Sequence, residues 1–273
     1  MKYLLFFACA SIFSFATYAQ QTSELNIGRV HALYSTVLQE ERQINVALPV
    51  NYDATKKYPV VYVLDGGLDE DLLHIAGLFQ FFELMYGLQD CIVVGIVNID
   101  RKRDFTFAPK DTTYTSEFPT TGHSADFIRF IQQELIPYVQ QNYLVNDTAM
   151  CIGQSLGGLL ATEMVLHHTG LFSHYFIVSP SIWWDNGRLL EEAKAQSADA
   201  EFIQADPFIY IAVGEDEQRI MRRDAKRFYR YCRSTGLTQT HFQLMRNEDH
   251  ATILHNAMYT GLKVFLKTAK FEQ

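Results

Sequence analysis

A pentapeptide with the pattern Gly-x-Ser-x-Gly constrains the fold more than any other part of the sequence. It spans residues 153–157 and places Ser155 at its centre. The apolar run 148–152 before it is typical of a buried strand, and residues 156–168 have the pattern of a helix that ends at Gly170. In this strand–turn–helix context the pentapeptide forms a nucleophile elbow, since the sharp turn exposes the serine hydroxyl at the edge of a sheet. The sequence therefore predicts an α/β fold with Ser155 as a nucleophile.

The segments around this elbow alternate between strand-like and helix-like patterns. Residues 29–39 and 43–49 are typical of two antiparallel strands joined by the polar link 40–42, and residues 100–122 are expected to form a long irregular loop. Further apolar runs predict strands at 59–64, 92–97, 175–178, 207–213 and 240–245. Helical patterns occupy 71–85, 124–143, 218–234 and 252–265, with a kink expected at Pro137. This order predicts a single α/β domain over residues 20–273, with a mostly parallel central sheet, an N-terminal antiparallel hairpin and helices on both faces.

The first nineteen residues form a segment of different composition. Lys2 precedes an apolar run at 4–15, and small residues follow just before Gln20. This is the pattern of a signal peptide that is cleaved after Ala19, and it predicts a periplasmic or secreted protein. An uncleaved membrane anchor fits less well because the apolar run is shorter than a membrane span. Lipid attachment at Cys9 also fits less well, since that residue lies very early in the segment.

The composition argues against several classes of partner. The chain of 273 residues has a formal net charge of −8, and an acidic surface does not favour nucleic acid or an anionic membrane. After the signal peptide, an odd number of cysteines remains, so a complete disulfide framework is not expected. We expect Cys91, Cys151 and Cys232 to be buried thiols. The sequence has no metalloprotease motif, P-loop or dinucleotide-binding motif, so neither a metal nor a cofactor is expected.

A serine nucleophile needs a base, and the base needs an orienting acid. In sheets with this elbow, the order along the chain is serine, acid, histidine. His250 lies on the predicted loop between the last strand and the last helix, which is where the base is expected. The other histidines after Ser155 lie in or beside predicted helices and strands: His167, His168, His174, His241 and His255. We therefore predict that His250 is the base.

The acid is expected on the turn that follows the strand at 207–213. There the sequence has three successive carboxylates, Glu215, Asp216 and Glu217, after Gly214. The order of the three groups identifies this turn but not the residue. We prefer Glu217 and leave Glu215 and Asp216 open. The acid would hold the imidazole tautomer and stabilise the imidazolium.

The developing oxyanion needs backbone N–H donors. One is expected from Leu156, which follows the nucleophile at the N-terminus of a helix. The second is expected from the loop after the strand at 59–64, where two glycines allow a close approach of the backbone. We select Gly67, with Gly66 and Leu68 left open.

At this point the sequence resembles the putative-esterase branch of the α/β-hydrolases, over about residues 28–267. That branch includes esterase D-like enzymes, feruloyl and acetyl xylan esterases, and hydrolases of catecholate siderophore esters. The segments that carry the resemblance are 41–42, 46–49, Tyr52, 58–66, 98–101, 134–137, 153–158, 179–181, 183–184 and 261–262. It implies the α/β-hydrolase fold and a triad of Ser155, His250 and the acid three residues after Gly214, which is Glu217. The segments 64–66 and 183–184 are most similar to the siderophore-esterase-like members.

These observations together predict an exported serine esterase that acts on small-molecule carboxylic esters, such as siderophore or carbohydrate esters. The loops 100–122 and 179–185 are expected to form the acyl and alcohol pockets. Trp183 and Trp184 would supply a flat apolar wall for the substrate. An acyltransferase would use the same residues with a different acceptor. The alternative from another class is a catalytically inactive hydrolase fold that only binds a ligand.

Overall fold

The computed structural model describes residues 22–168, 170–195 and 200–268. The strands in this part of the chain are β1 (Gly28–Ser35), β2 (Glu40–Ala47), β3 (Tyr58–Leu64), β4 (Ile92–Ile96), β5 (Val145–Gln154), β6 (His174–Val178), β7 (Phe208–Gly214) and β8 (Thr240–Met245). The helices are α1 (Leu72–Tyr86), α2 (Arg101–Phe105), α3 (Thr112–Glu117), α4 (Ser124–Phe130), a π-helical segment (Ile131–Leu135), α5 (Ile136–Asn142), α6 (Leu156–His167), α7 (Trp184–Ala195), α8 (Ala200–Ala205), α9 (Arg219–Ser234) and α10 (Ile253–Thr268).

The eight strands form one sheet in the order β1-β2-β4-β3-β5-β6-β7-β8. β2 runs antiparallel to β1 and β4, and all the other neighbours are parallel. Alternate residues of β3 belong to two hydrophobic clusters, one packed against α1 and α10 and the other against α4, α6 and α9. Burial on both faces explains why β3 is an uninterrupted apolar run. The predicted α/β-hydrolase architecture, with its N-terminal hairpin and a mostly parallel sheet, is confirmed.

The hairpin turn lies four residues earlier than the sequence suggested. Residues 36–39 form the turn, whereas the predicted link 40–42 lies within β2. Two of its charges form ion pairs within the fold: the Arg42 side chain is 0% exposed and contacts Asp104 (2.8 Å) and Glu40 (2.9 Å). The charged residues 40–42 suggested a turn, because the ion-pair partner of Arg42, Asp104, is distant in sequence.

One predicted loop contains short helices, and one predicted helix is divided into three segments. The stretch 100–122 contains the short helices α2 and α3, whose first turns are capped by Asp100 and Asp111. The predicted helix at 124–143 consists of α4, the π-helical segment and α5. The helical backbone is continuous through these three segments, and the π-helical segment ends directly before α5, whose second residue is Pro137. The expected irregularity therefore lies just before the proline.

Cys91, Cys151 and Cys232 are free and buried, as predicted. Burial raises the pKa of each thiol. No helix within the described ranges is long and apolar enough to cross a membrane. The predicted signal peptide and Cys9 lie outside the described residues.

Candidate active site

The predicted elbow is a sharp turn between β5 and α6. Ser155 has φ 59° and ψ −115°, an uncommon conformation for a residue with a side chain. Its N–H donates to the carbonyl of Val178 (3.0 Å), and its own carbonyl accepts the N–H of Ser181 (3.0 Å). A Cβ at Gly153 would lie 2.4 Å from the carbonyl oxygen of Gly157, so this position requires glycine. The turn is therefore fixed by the neighbouring β6 and by close backbone packing.

The structure brings the predicted serine, histidine and acid together. Ser155 Oγ lies 2.9 Å from His250 Nε2, and His250 Nδ1 lies 3.0 Å from Glu217 Oε2. Because the carboxylate can only accept, Nδ1–H donates to Glu217 and Nε2 is left to accept the serine hydroxyl proton. The other two candidate acids, Glu215 and Asp216, are exposed on the same turn. The arrangement can move a proton from the serine to an oriented imidazole.

Glu217 is held as a buried anion. Its side chain is 1% exposed, and Oε1 accepts the Gly214 N–H (2.8 Å) and the Ser179 hydroxyl. Burial opposes ionisation, but the hydrogen bonds from His250, Ser179 and Gly214 outweigh it, so the pKa of Glu217 lies below its usual value. The carboxylate is thus charged at neutral pH and available to stabilise an imidazolium.

His250 lies on a tightly hydrogen-bonded turn at the start of α10. Asp249 Oδ1 accepts the N–H groups of Ala251 (2.8 Å) and Thr252 (3.0 Å), and the Gln154 side chain donates to the His250 carbonyl (2.6 Å). The turn is therefore tied both to α10 and to Gln154, the residue before Ser155. The His250 side chain remains 47% exposed, which leaves it open to substrate and water.

The candidate oxyanion donors differ in whether their backbone N–H groups already have hydrogen-bond partners. Leu156 begins α6, and N–H groups in the first turn of a helix have no intrahelical partner. On the opposite loop, the Gly66 N–H donates to the Ile96 carbonyl (2.9 Å) and the Gly67 N–H donates to Glu70 Oε2 (2.7 Å). Gly67 can therefore serve an oxyanion only after the Glu70 carboxylate moves away.

Arg101 joins this loop to the turn that carries Ser155, a contact that was not predicted from the sequence. Its guanidinium contacts both oxygens of Asp65 (2.5 and 2.9 Å) and donates to the Gln154 carbonyl (3.1 Å). Asp65 also accepts from the Asn98 side chain (2.6 Å). Asn98 and Arg101 belong to one of the segments that carried the family resemblance, which is the signal that could have identified them.

The two tryptophans occupy different environments. Trp184 is 2% exposed, its Nε1–H donates to the Phe107 carbonyl (3.1 Å), and its ring packs edge-on against Tyr114, with ring centroids 4.7 Å apart. A side chain buried to this extent offers little surface to a substrate. Trp183 is half-buried and lies in the same aromatic cluster, together with Leu156. Of the two tryptophans predicted to form an apolar wall for the substrate, Trp183 is the one whose side chain remains accessible.

The segment around Phe107 is fastened over the elbow by the turn that follows Trp184. Asp185 accepts the N–H groups of Lys110 (3.0 Å) and Asp111 (3.1 Å), and Arg188 donates to the Ala108 carbonyl (2.6 Å). Asp185 and Asn186 have positive φ, an uncommon geometry for residues with a side chain, and these contacts offset its cost. The two loops predicted to form the pockets thus contact each other directly.

Glu163 on α6 is a buried acid outside the relay. Its Oε1 accepts the Ser124 hydroxyl (3.0 Å), while Oε2 has no hydrogen-bond partner among the described residues. Burial raises its pKa to about 7, against smaller opposing effects of Ser124 and Arg188. The folded protein therefore retains a proton that the unfolded chain releases near the usual value of 4.5.

Glu163→Gln is expected to remove a pH-dependent loss of stability. Between pH 4.5 and about 7 the folded state binds more protons than the unfolded state, so wild-type stability should fall as the pH rises through this window. The glutamine cannot titrate, and the fall should become shallower. Thermal unfolding of both proteins at pH 5 and pH 8 measures this. If the difference in Tm between wild type and Glu163→Gln is the same at pH 5 and pH 8, the expectation is wrong.

Comparison with known proteins places these features in a family. The model of the family described as "Putative esterase" matches residues 35–257. The chain is 28% identical over 178 residues to the ferri-bacillibactin esterase BesA of Bacillus subtilis, covering 59% of this chain and 61% of that protein. It is 33% identical over 107 residues to the siderophore enterobactin esterase of Emericella nidulans, covering 37% of this chain and 35% of that protein. The chain thus spans less than two thirds of the length of these two relatives.

A solved structure gives a longer match. The crystal structure of an IroE-like serine hydrolase from Shewanella oneidensis superposes with a TM-score of 0.76 at 25% identity, covering 88% of this chain and 80% of that chain. Because the family model spans most of the sequence, the chain belongs to the esterase family described as "Putative esterase".

Proposed function

We propose that this protein is a serine esterase that hydrolyses carboxylic esters of small molecules through an acyl-enzyme. The observation that carries the proposal is the continuous hydrogen-bonded relay from Ser155 through His250 to Glu217. Family membership supports the same class of reaction.

In the proposed reaction, Ser155 Oγ attacks the ester carbonyl carbon while its proton passes to His250 Nε2. Collapse of the tetrahedral intermediate breaks the bond to the alcohol oxygen, which takes that proton as the alcohol leaves. Water then gives a proton to His250 and attacks the acyl carbon, and the carboxylic acid is released as Ser155 regains its proton. Glu217 stays ionised and stabilises the imidazolium in both halves of the reaction.

The Leu156 N–H is the proposed first oxyanion donor, and the Gly67 N–H is the proposed second. In this proposal the substrate oxygen displaces Glu70 from Gly67, which requires the carboxylate to swing towards solvent. Losing one such donor typically lowers the rate by about 10²–10³-fold.

Siderophore esters are the proposed substrate class, ahead of carbohydrate esters. The two named relatives act, by their names, on ferri-bacillibactin and enterobactin. Trp183 would offer an apolar face to an aromatic acyl or alcohol group. We also propose that the protein is exported, on the basis of the signal-peptide pattern of residues 1–19.

The test is hydrolysis of p-nitrophenyl acetate, butyrate and octanoate with a chelator present, followed by enterobactin and acetylated xylan. Turnover together with fluorophosphonate labelling of Ser155 is expected. Faster hydrolysis of enterobactin than of acetylated xylan would support the siderophore class. A folded protein that neither turns over any ester nor reacts with the probe would instead favour the inactive binding protein.

Alanine variants of the two tryptophans should separate a substrate contact from packing. Trp183→Ala is expected to raise KM for aryl esters by about 2–10-fold, the range of one aromatic contact, with little change in Tm. Trp184→Ala should lower the free energy of unfolding by about 3–5 kcal/mol, because it empties a buried site. Steady-state kinetics with aryl and alkyl esters, together with denaturant unfolding, measure both. An unchanged preference between aryl and alkyl esters in Trp183→Ala would contradict its proposed role.

A further inference from the structure

Ser179 is a buried residue beside the relay whose backbone is held in an uncommon conformation. It directly follows β6, is 0% exposed and has φ 45°. Its N–H donates to the Ala212 carbonyl of β7 (2.8 Å), so the position is tied to the adjacent strand. A serine with positive φ in a fully buried site is costly unless its side chain makes a specific contact.

That contact is with the acid of the relay. The Ser179 hydroxyl donates to Glu217 Oε1, which also accepts the Gly214 N–H (2.8 Å). The other oxygen, Oε2, faces His250 Nδ1 at 3.0 Å. The two carboxylate oxygens thus have separate partners, and the pair of donors on Oε1 leaves Oε2 directed at the imidazole.

From this geometry we propose that Ser179 is a positioning residue, which acts as the fourth member of the relay by fixing the rotation and the charge of Glu217. The inference rests on the proposed esterase function. Without the hydroxyl, Gly214 alone would hold Oε1, and the carboxylate could rotate away from His250. A buried anion that loses a donor is also less well compensated, so part of its stabilisation of the imidazolium would be lost.

Ser179→Gly is the test variant, because glycine adopts a positive φ without strain while the hydroxyl is removed together with Cβ. We expect kcat to fall by about 10–100-fold, the range of a lost hydrogen bond to a charged group, with KM unchanged. Ser179→Ala also lacks the hydroxyl but keeps a Cβ at the strained backbone. If both variants lose kcat by a similar factor although their Tm values differ, the loss of rate comes from the missing hydroxyl and not from the strained backbone.

A double-mutant cycle shows whether Ser179 acts through Glu217. In a Glu217→Ala background, Ser179→Gly is expected to cause no further loss of rate. If the two losses multiply instead, or if both Ser179 variants retain wild-type kcat, the proposal is wrong.

A measurement that needs no turnover keeps this proposal distinct from the esterase proposal. The low-field proton resonance of His250 Nδ1–H reports the bond to Glu217, and it should shift or broaden in Ser179→Gly. An unchanged resonance would overturn the positioning role even in an inactive protein. A shifted resonance in a protein without esterase activity would uphold the positioning role and reject the proposed reaction.

Discussion

Replacing Ser155 with alanine is expected to lower kcat for ester hydrolysis by about 10⁴–10⁶-fold, the range seen when the nucleophile of a serine triad is removed. The reason is that no other described oxygen has the same access to the base: the Ser181 hydroxyl lies 3.4 Å from Ser155 Oγ but is itself buried. Burst kinetics with p-nitrophenyl acetate, together with mass spectrometry of fluorophosphonate-treated protein, measure the loss. KM should change little, since the deleted hydroxyl contributes mainly to the transition state.

Ser234→Ala is the matched control, because this exposed serine lies at the end of α9 and its hydroxyl donates to the Tyr231 carbonyl of its own helix. It should retain wild-type rate and labelling. Full labelling of the Ser155→Ala protein at another serine, with residual turnover above a hundredth of wild type, would contradict the assignment of the nucleophile.

Glu217→Gln should lower kcat by about 10³–10⁴-fold, close to the effect of the equivalent acid-to-amide change in a serine triad. A neutral amide cannot stabilise the imidazolium, and its N–H₂ group can favour the wrong histidine tautomer. The variant should remain folded, because glutamine fills the same volume and can still accept from Ser179 and Gly214. Steady-state kinetics and circular dichroism at neutral pH measure the two effects.

The neighbouring acids provide the controls for this change. Glu215→Gln and Asp216→Asn alter the same turn and remove the same charge, but both side chains are exposed. Their rates should stay within about twofold of wild type, which corresponds to the effect of about 0.5 kcal/mol that is usual for exposed substitutions. A large loss in either control, with Glu217→Gln active, would move the role of the acid to that residue.

Local sequence signals predicted the parts of the site that depend on one segment of the chain. The strand–turn–helix context of Ser155 predicted its elbow, and the position of His250 between the last strand and the last helix predicted that it would lie near Ser155. The position of Glu217 was harder to predict, because three adjacent carboxylates share the turn. Glu217 differs from the other two because it contacts Gly214 and Ser179, and Ser179 directly follows a different strand, β6.

Contacts between segments distant in sequence account for what could not be predicted. Trp184 is buried because Phe107 and Tyr114, more than sixty residues earlier, fold over it. The hairpin turn was misplaced because the partner of Arg42 is Asp104. In each case the composition of a segment was known, but its neighbours in the fold were not.

Ser155 and the other two members of the relay lie beside strands that differ in how easily they open locally. β5, which leads to Ser155, has partners on both sides, whereas β8, which leads to the His250 turn, is an edge strand with one partner. The acid and base turns are linked by backbone hydrogen bonds, including Glu215 N–H to Met245 and Asp216 N–H to Glu248. Local opening at this edge would therefore move the turns that carry Glu217 and His250 away from Ser155 together, while the central strands stay paired. The fraction of folded protein and the fraction competent for turnover are consequently separate quantities for this chain.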